Sequence, residues 1–174
     1  ALASLLRGIE LPEVGGDTMF SNIYLAYESL SDGMKKLIEG LYGVHTGGNT
    51  RRIDNSTPER AAETKGYGTP VAQPLVRVHP ESGRKALYVN EQVRLFVGMT
   101  AAESRPLTQF LTNHAVRPQN VYRHQWRKGD LLMWDNRCLL HIALADFDRT
   151  KVRYMEKTTV DGTPSGYLYD GPLE

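Results

Sequence analysis

The sequence predicts a mainly β chain with flanking helices, built around an antiparallel β sandwich or barrel. Four short strand-like segments lie within about 40 residues, between positions 121 and 160, and Gly, Asp and Asn residues separate them. Two further strand-like runs flank a turn at His79–Gly83, which is typical of a hairpin. No regular alternation of strands with long helical segments is present, so a parallel α/β sheet is disfavoured. With 174 residues, of which 40% are hydrophobic, the chain can form one domain with a core.

The first 45 residues alternate between strand and helix signals. Ser4–Leu11 alternates in polarity and predicts a strand, and Gly15–Thr18 predicts a turn because its two glycines permit unusual backbone angles. A short helix is expected from about Asn22 to Leu30. Ser31 can cap a second helix, in which apolar residues recur at helical spacing as far as Leu41.

Residues 45 to 70 predict a long excursion with one short helical turn, because Ser56–Glu59 forms a capping box in an otherwise polar stretch. After the hairpin, Thr100–Glu103 is another capping box and starts a helix whose apolar face should contain Leu107, Phe110 and Leu111. The remaining predicted strands are Gln73–Val78, Lys85–Asn90, Val121–Trp126, Leu131–Trp134, Leu139–Ala143 and Tyr154–Val160.

Composition excludes several classes of function. The 21 basic and 20 acidic residues give a net charge of +1 and are spread along the chain, which argues against a nucleic-acid partner. No apolar run approaches the roughly 20 residues that span a bilayer, so no membrane association is expected. Cys138 is the single cysteine and cannot form an internal disulfide, so a cytoplasmic location is the simplest. We expect Cys138 to be a small buried residue and not a nucleophile.

His141 and Arg153 are the residues most suggestive of a site. His141 lies in an apolar segment, where a core-facing imidazole needs a polar partner, and Arg153 should lie on the neighbouring strand. Such a pair suits a metal-bound carboxylate ligand, although a satisfied core histidine and an internal salt bridge remain as alternatives. A triad of His79, Glu81 and His141 has the ligand types that non-haem iron prefers. We disfavour it because His79 and Glu81 lie in a turn, where side chains usually face solvent.

Three motifs together resemble the taurine dioxygenase (TauD)/TfdA family of Fe(II)- and 2-oxoglutarate-dependent dioxygenases. They are Gly15–Thr18, the stretch His79–Asn90, and the stretch from Trp126 through the Trp-Asp-Asn-Arg motif to His141. The resemblance covers nearly the whole chain in the family's order. It implies a double-stranded β-helix, a jelly-roll or cupin-like core, that uses Fe(II), 2-oxoglutarate and O2.

The resemblance also implies roles for individual residues. His141 matches the family's distal iron ligand, and Thr18 and Arg153 match the pair that holds the far carboxylate of 2-oxoglutarate. The family places a His-x-Asp pair about two dozen residues before the threonine. We therefore expect that pair before Ala1, an N-terminally incomplete core, and an inactive isolated chain. The domain prediction is a single dioxygenase-like domain over 1–174, with a helical and loop insertion at about 18–70.

Lys157 occupies the position at which taurine-type members carry an arginine that grips the substrate. Lysine keeps the positive charge but not the planar fork of arginine, so a small anionic substrate is expected and taurine is disfavoured. Taurine-like sulfonates, sulfate esters and aryloxyalkanoates are the candidate substrates, and a homo-oligomer is compatible with the sequence. A solvent-facing lysine is the alternative interpretation of Lys157.

Two other function classes stay open from the sequence. The first is a catalytically incompetent β-barrel fragment or pseudoenzyme with a binding or assembly role, which the missing ligands motivate. The second is a cupin-like isomerase or hydrolase that uses His79 and His141 with a different metal.

Overall fold

A computed structural model describes residues 1–46, 69–163 and 165–174. Tertiary contacts divide the chain into two compact units. The first unit contains Ala1–Leu30, Arg77–Leu87 and Ala115–Pro164, and the second contains Ser31–Val76, Tyr88–His114 and Ser165–Glu174. The predicted excursion lies almost entirely outside the described residues, including its capping box at Ser56. The single-domain organisation with an insertion stays a prediction.

Strands dominate the described residues, as the sequence predicts. The strands are β1 (Ala3–Glu10), β2 (Thr18–Asn22), β3 (Tyr42–His45), β4 (Val71–Pro74), β5 (Val76–Val78), β6 (Lys85–Leu87), β7 (Val93–Phe96), β8 (Val121–His124), β9 (Leu131–Asp135), β10 (Leu139–Ala143), β11 (Tyr154–Val160) and β12 (Tyr167–Leu168). The helices are α1 (Ile23–Glu28), α2 (Asp32–Ile38) and α3 (Ala101–Ala115), and a 3-10 turn covers Pro118–Asn120. None of the described helices is long and apolar enough to cross a membrane.

Two antiparallel sheets form the first unit, with strand orders β11-β1-β9 and β10-β2-β8. Their facing surfaces meet where Phe20 of β2 packs edge to face on Trp134 of β9, with ring centroids 5.2 Å apart. Both rings are buried, so each anchors its sheet in a shared core. The predicted hairpin is also present, as the two-stranded pair β5-β6.

The strand that carries His141 and the strand that follows Arg153 are not neighbours, contrary to the prediction. β10 pairs with β2, whereas β11 pairs with β1. The ten residues that connect them cross from one sheet to the other, as in jelly-roll topologies, where successive strands alternate between sheets. Arg153 itself comes just before β11 and is not part of a strand.

The helices predicted within the described residues form, and their first residues explain why. The Asn22 side chain accepts hydrogen bonds from the backbone N–H groups of Tyr24 and Leu25, and Ser31 caps α2 in the same way. Thr100 and Glu103 form the reciprocal bonds of a capping box at α3. α2 ends at Ile38, so its predicted extension to Leu41 is wrong.

The apolar face predicted for α3 is only partly correct. Leu111 is fully buried, but Phe110 is 46% exposed. Ser104 is buried instead, and its hydroxyl donates to the Thr100 carbonyl while accepting from the Phe96 backbone. A polar residue therefore occupies part of the buried face because both of its hydrogen-bonding needs are met there.

Strand boundaries in the second unit differ most from the predictions. The single strand predicted over Gln73–Val78 is broken at Leu75, whose backbone bonds to Leu41 and Tyr88. β4 instead joins a four-stranded sheet of order β12-β4-β3-β7. Three of those strands were not predicted, because short strands are stabilised by partners that are remote in sequence.

Candidate active site

Thr18 and His141 share one face of the β10-β2-β8 sheet. Thr18 lies opposite Ala143 on β10 and opposite His124 on β8, and Phe20 lies opposite His141. Side chains directly opposite in antiparallel strands point to the same face, and residues two apart on a strand do so as well. Thr18, Phe20 and His141 therefore face the same side of the sheet. Because Thr18 was predicted to end a turn and not to begin a strand, sequence reasoning missed this arrangement.

The His141 imidazole lies against two aromatic rings at the edge of the core. Its centroid is 4.9 Å from Trp134 and 6.5 Å from Phe20. His141 is exposed, which disfavours the alternative of a satisfied core histidine. The ring faces the same side of the sheet as buried Phe20 and contacts buried Trp134, but it lies at the edge of that core and stays accessible. Two aromatic neighbours therefore orient a histidine that solvent and small ligands can reach.

Thr18 is 2% exposed, and its hydroxyl accepts a hydrogen bond of 2.9 Å from the indole Nε1 of Trp126. Indole is a donor only, so the direction of this bond is unambiguous. The hydroxyl hydrogen of Thr18 has no acceptor among the described residues. A buried donor of this kind normally has a partner.

Arg153 reaches back to the same short segment. Its Nε donates to the Gly16 carbonyl at 2.9 Å, two residues before Thr18. Its Nη2 is buried and has no hydrogen-bond partner within residues 1–46, 69–163 and 165–174. Burial lowers the pKa of the Arg153 guanidinium, and the nearby Asp17 acts in the opposite direction. Arginine nevertheless stays charged at any physiological pH.

Asp17 forms its salt bridge with another arginine and not with Arg153. Arg123 Nε donates to Asp17 at 2.7 Å and its Nη2 donates to Asp146 at 2.8 Å. Asp146 in turn accepts from the Gly16 backbone N–H. These bonds hold the loop before Thr18 in place. Within the described parts of the chain, Arg153 has no ion pair, so the internal salt bridge is not found there.

Lys157 lies on the face of its sheet that carries Trp134. On β1, Leu6 lies opposite Lys157, and Ser4, two residues away, lies opposite Trp134. The strand alternation therefore turns Lys157 toward the side on which the two sheets face each other. Its side chain is exposed, so the ammonium group remains accessible. Strand alternation does not determine the direction of the Arg153 side chain, because that residue precedes the strand.

His79 is buried, so the expectation that it faces solvent is wrong. It is 9% exposed, its Nε2 lies 3.1 Å from the Asp135 carboxylate, and its Nδ1 accepts from the Ser82 backbone. Burial alone would raise the pKa of Asp135, but hydrogen bonds from Arg137 and His79 hold that pKa well below its usual range. Asp135 is the last residue of β9, and the turn of the hairpin folds against it.

The described residues contain one group of three potential metal ligands, formed by His79, Asp135 and Cys138. His141 is not part of it, and Glu81 is 64% exposed and paired with Arg137. The triad of His79, Glu81 and His141 is therefore not assembled. Cys138 is half-buried, and burial raises the pKa of its thiol, which favours the protonated form over the metal-binding thiolate.

The residues of this site fit the predicted 2-oxoglutarate carboxylate better than they fit the predicted iron. Two unused donors, the Thr18 hydroxyl and Arg153 Nη2, lie around the same loop and suit a carboxylate. For iron the donor set is partial, because the 174 residues contain no His-x-Asp pair and His141 is the sole residue matching the family's ligands.

Comparisons with known proteins show the family to which the chain belongs. Residues 1–159 match the family described as "Taurine catabolism dioxygenase TauD, TfdA family". The chain is 40% identical over 159 residues to an alpha-ketoglutarate-dependent 2,4-dichlorophenoxyacetate dioxygenase of Burkholderia sp. (strain RASC), covering 91% of this chain and 53% of that protein. It is 34% identical over 180 residues to an alpha-ketoglutarate-dependent sulfate ester dioxygenase of Pseudomonas putida, covering 98% and 58%.

Solved structures show the same fold. The structure of AAD-2 in complex with Mn(II) and N-oxalylglycine superposes with a TM-score of 0.81 at 35% identity, covering 95% of this chain and 64% of that one. The predicted class, mainly β with a double-stranded β-helix core, is confirmed by this similarity. The chain spans about half the length of the curated relatives it matches. By sequence and by fold, the chain belongs to the TauD/TfdA family of dioxygenases.

Proposed function

We propose that the whole protein is an Fe(II)- and 2-oxoglutarate-dependent dioxygenase that hydroxylates a small anionic substrate and releases succinate and CO2. One observation carries this proposal: the Thr18 hydroxyl and Arg153 Nη2 are two unused hydrogen-bond donors at one loop of the described chain. A buried guanidinium N–H without an acceptor costs free energy. A bound carboxylate removes that cost.

In this proposal Thr18 and Arg153 bind the distal carboxylate of 2-oxoglutarate. Arg153 supplies the charge and one charge-assisted hydrogen bond, while its Nε stays on Gly16. Thr18 donates the second bond to the same carboxylate. The Arg123 and Asp146 contacts hold the loop, so both donors are in place before the ligand arrives.

His141 is the residue of this chain that would bind the iron, with two further ligands supplied by the whole protein. The metal, when bound, supplies the activation of dioxygen and the oxidation of the substrate. Trp134 and Phe20 contact the His141 ring and shield one side of the site from water. A cytoplasmic location and a homo-oligomer stay predictions.

The substrate class rests on Lys157 and on the names of the relatives. The relatives act on 2,4-dichlorophenoxyacetate and on sulfate esters, both of which carry a negative group. Lys157 can meet such a group as a point charge. We expect Lys157→Ala to raise the KM for an aryloxyalkanoate or alkyl sulfate, with little change in 2-oxoglutarate affinity. An unchanged KM for both substrates would remove Lys157 from the substrate site.

The test of the function compares two ligands of the metal-loaded whole protein. Oxalate can chelate the metal but lacks a distal carboxylate, whereas 2-oxoglutarate has one. Arg153→Ala should weaken 2-oxoglutarate binding about 100-fold, as for loss of a buried charged partner, and leave oxalate binding within about twofold. Arg153→Lys keeps the charge but not the planar fork of the guanidinium. Its 2-oxoglutarate affinity should lie between those of the wild type and Arg153→Ala. Calorimetry measures both affinities. Equal losses for the two ligands would contradict the assignment.

A further inference from the structure

We propose that Trp126 is a positioning residue that aims the hydroxyl hydrogen of Thr18 at the distal carboxylate of 2-oxoglutarate. The proposal rests on the function proposed above and adds a residue to it. Trp126 lies two residues after β8, and its indole Nε1 donates to Thr18 Oγ1 at 2.9 Å.

The hydroxyl of a threonine has one hydrogen and two lone pairs. The indole N–H occupies one lone-pair direction of Thr18, which leaves the hydrogen two of its three staggered positions. Without the indole, all three positions are open to the hydrogen, and it need not point toward an incoming anion. The Trp126 bond therefore restricts the directions in which the Thr18 hydroxyl can donate to an incoming anion.

Trp126 is itself held in place by neighbouring residues. The His124 ring meets it edge to face at 4.7 Å and 88°, and His124 Nε2 pairs with Asp130 at 3.2 Å. Trp126 also lies close to Gly8 of β1, where a Cβ atom would stand 3.5 Å from the indole and 3.3 Å from the Arg127 carbonyl. A glycine there permits the close approach of the indole. The indole N–H is consequently directed before any ligand binds.

The alternative is that Trp126 has only a packing role. A packing residue would affect stability and every ligand alike, whereas a positioning residue should act through the Thr18 hydroxyl alone. A double-mutant cycle separates these two roles, because effects that pass through one group are not additive.

The experiment uses the whole protein loaded with Mn(II) and titrates 2-oxoglutarate and oxalate by calorimetry. The variants are Trp126→Phe, Thr18→Val and the double substitution. Thr18→Val should weaken 2-oxoglutarate binding about 10-fold, as for loss of a hydrogen bond to a charged group. Trp126→Phe should weaken it by about 3- to 10-fold in the presence of Thr18 and by less than about twofold in Thr18→Val. Oxalate affinity should not change.

Thr108→Val is the matched control, because it removes a threonine hydroxyl from α3 and should leave both affinities unchanged. If Trp126→Phe does not fold, benzothienylalanine at position 126 replaces the N–H by sulfur and keeps the ring size. Additive losses, or equal losses for oxalate, would overturn the role of Trp126 while Arg153→Ala still supports the dioxygenase. A wild-type protein that binds Mn(II) and oxalate but not 2-oxoglutarate would overturn both proposals.

Discussion

Two arginines in this chain differ in whether their buried or charged groups have hydrogen-bond partners. Arg123 and Arg153 both approach the loop before Thr18, yet only Arg123 has carboxylate partners among the described residues. Arg153 keeps one buried N–H unpaired there, which folded proteins rarely tolerate without a function. This difference between the two arginines supports the proposal that Arg153 binds an anion.

Gly16 gives a prediction at this scale, because its φ of +71° is strained for other residues and its missing Cβ leaves room for Arg153. A Cβ there would stand 3.0 Å from Arg153 Cδ and Nε. Gly16→Ala should lower stability by about 1–2 kcal/mol through backbone strain. It should also weaken 2-oxoglutarate binding about 10-fold by displacing the guanidinium. Calorimetry and urea unfolding of the whole protein measure the two effects.

Gly40 is the matched control for this prediction, since its φ is +80° and no described atom lies within 4 Å of the point where a Cβ would stand. Gly40→Ala should lower stability through backbone strain but leave 2-oxoglutarate binding unchanged. Equal affinity losses in the two variants would mean that Arg153 does not depend on the space at Gly16.

Arg137 gives a pH-dependent prediction. Its guanidinium donates to Asp135 from Nε and Nη2, at distances between 2.6 and 3.1 Å. Arg137→Gln should lower the free energy of unfolding by about 1–3 kcal/mol at neutral pH, because Asp135 loses its charged partner.

The pH profile follows from the lowered pKa of Asp135 in the folded state. Its contribution is present above the unfolded pKa, near 4, and is lost as the pH falls through the folded value. Urea unfolding should therefore give a constant difference between wild type and Arg137→Gln from about pH 8 to 5, shrinking below about pH 4. Arg149→Gln, at an exposed site, is the control. A difference that grows on acidification would refute the role of Asp135.

At the scale of single elements, the sheet pairing decides which side chains can act together. Thr18 and His141 are remote in sequence, but the β2-β10 ladder places them on one face. A shift of one residue in that pairing would turn His141 to the other face. The register therefore determines the candidate site as much as the residue types do.

Helix α3 gives a paired prediction, because two threonines at and within it have opposite surroundings. Thr100 caps the helix through Glu103, whereas the buried hydroxyl of Thr108 has no partner among the described residues. Thr100→Ala should destabilise the protein by about 1 kcal/mol. Thr108→Val should be neutral or stabilising, since it removes an unsatisfied hydroxyl at nearly constant shape. Thermal or urea unfolding tests both, and a larger loss for Thr108→Val would show that its hydroxyl has a partner.

At the scale of the whole molecule, the candidate site contains both residues proposed for the cosubstrate carboxylate and one residue proposed for the metal. The described residues bring Thr18, Arg153 and His141 to the same unit, while the family's His-x-Asp pair is absent from the 174 residues. A single imidazole is a weak ligand for Fe(II), which prefers two histidines and a carboxylate. The 174-residue chain alone should therefore bind Fe(II) weakly.

The corresponding prediction concerns the visible charge-transfer band that Fe(II) and 2-oxoglutarate give together under anaerobic conditions. The 174-residue chain alone should show no band, and the whole protein should show one. His141→Ala in the whole protein should abolish the band, while the matched variant His79→Ala should keep it, because His79 binds Asp135 instead. A band in the isolated chain would mean that other residues of the chain complete the metal site.

Local signals predicted the capped helices, the hairpin and the antiparallel strands, because each depends on residues close together in sequence. The candidate residues came from the family's motifs, and the positions of Thr18, Arg153 and Lys157 agree with that resemblance, although their roles stay proposals. Burial was less predictable. His79 is buried although it lies in a turn, and His141 is exposed although its neighbours in sequence are apolar, because burial depends on the strand or turn that packs against a residue.

The sequence by itself determined the fold class and the family, since periodicity, caps and motifs are properties of short stretches. Only the tertiary structure decided which donors remain unused at the loop before Thr18, which sheet each strand joins, and that Trp126 meets Thr18 across 108 positions. Those facts depend on long-range pairing, whose register and partners arise from the packing of the whole unit and not from any local segment.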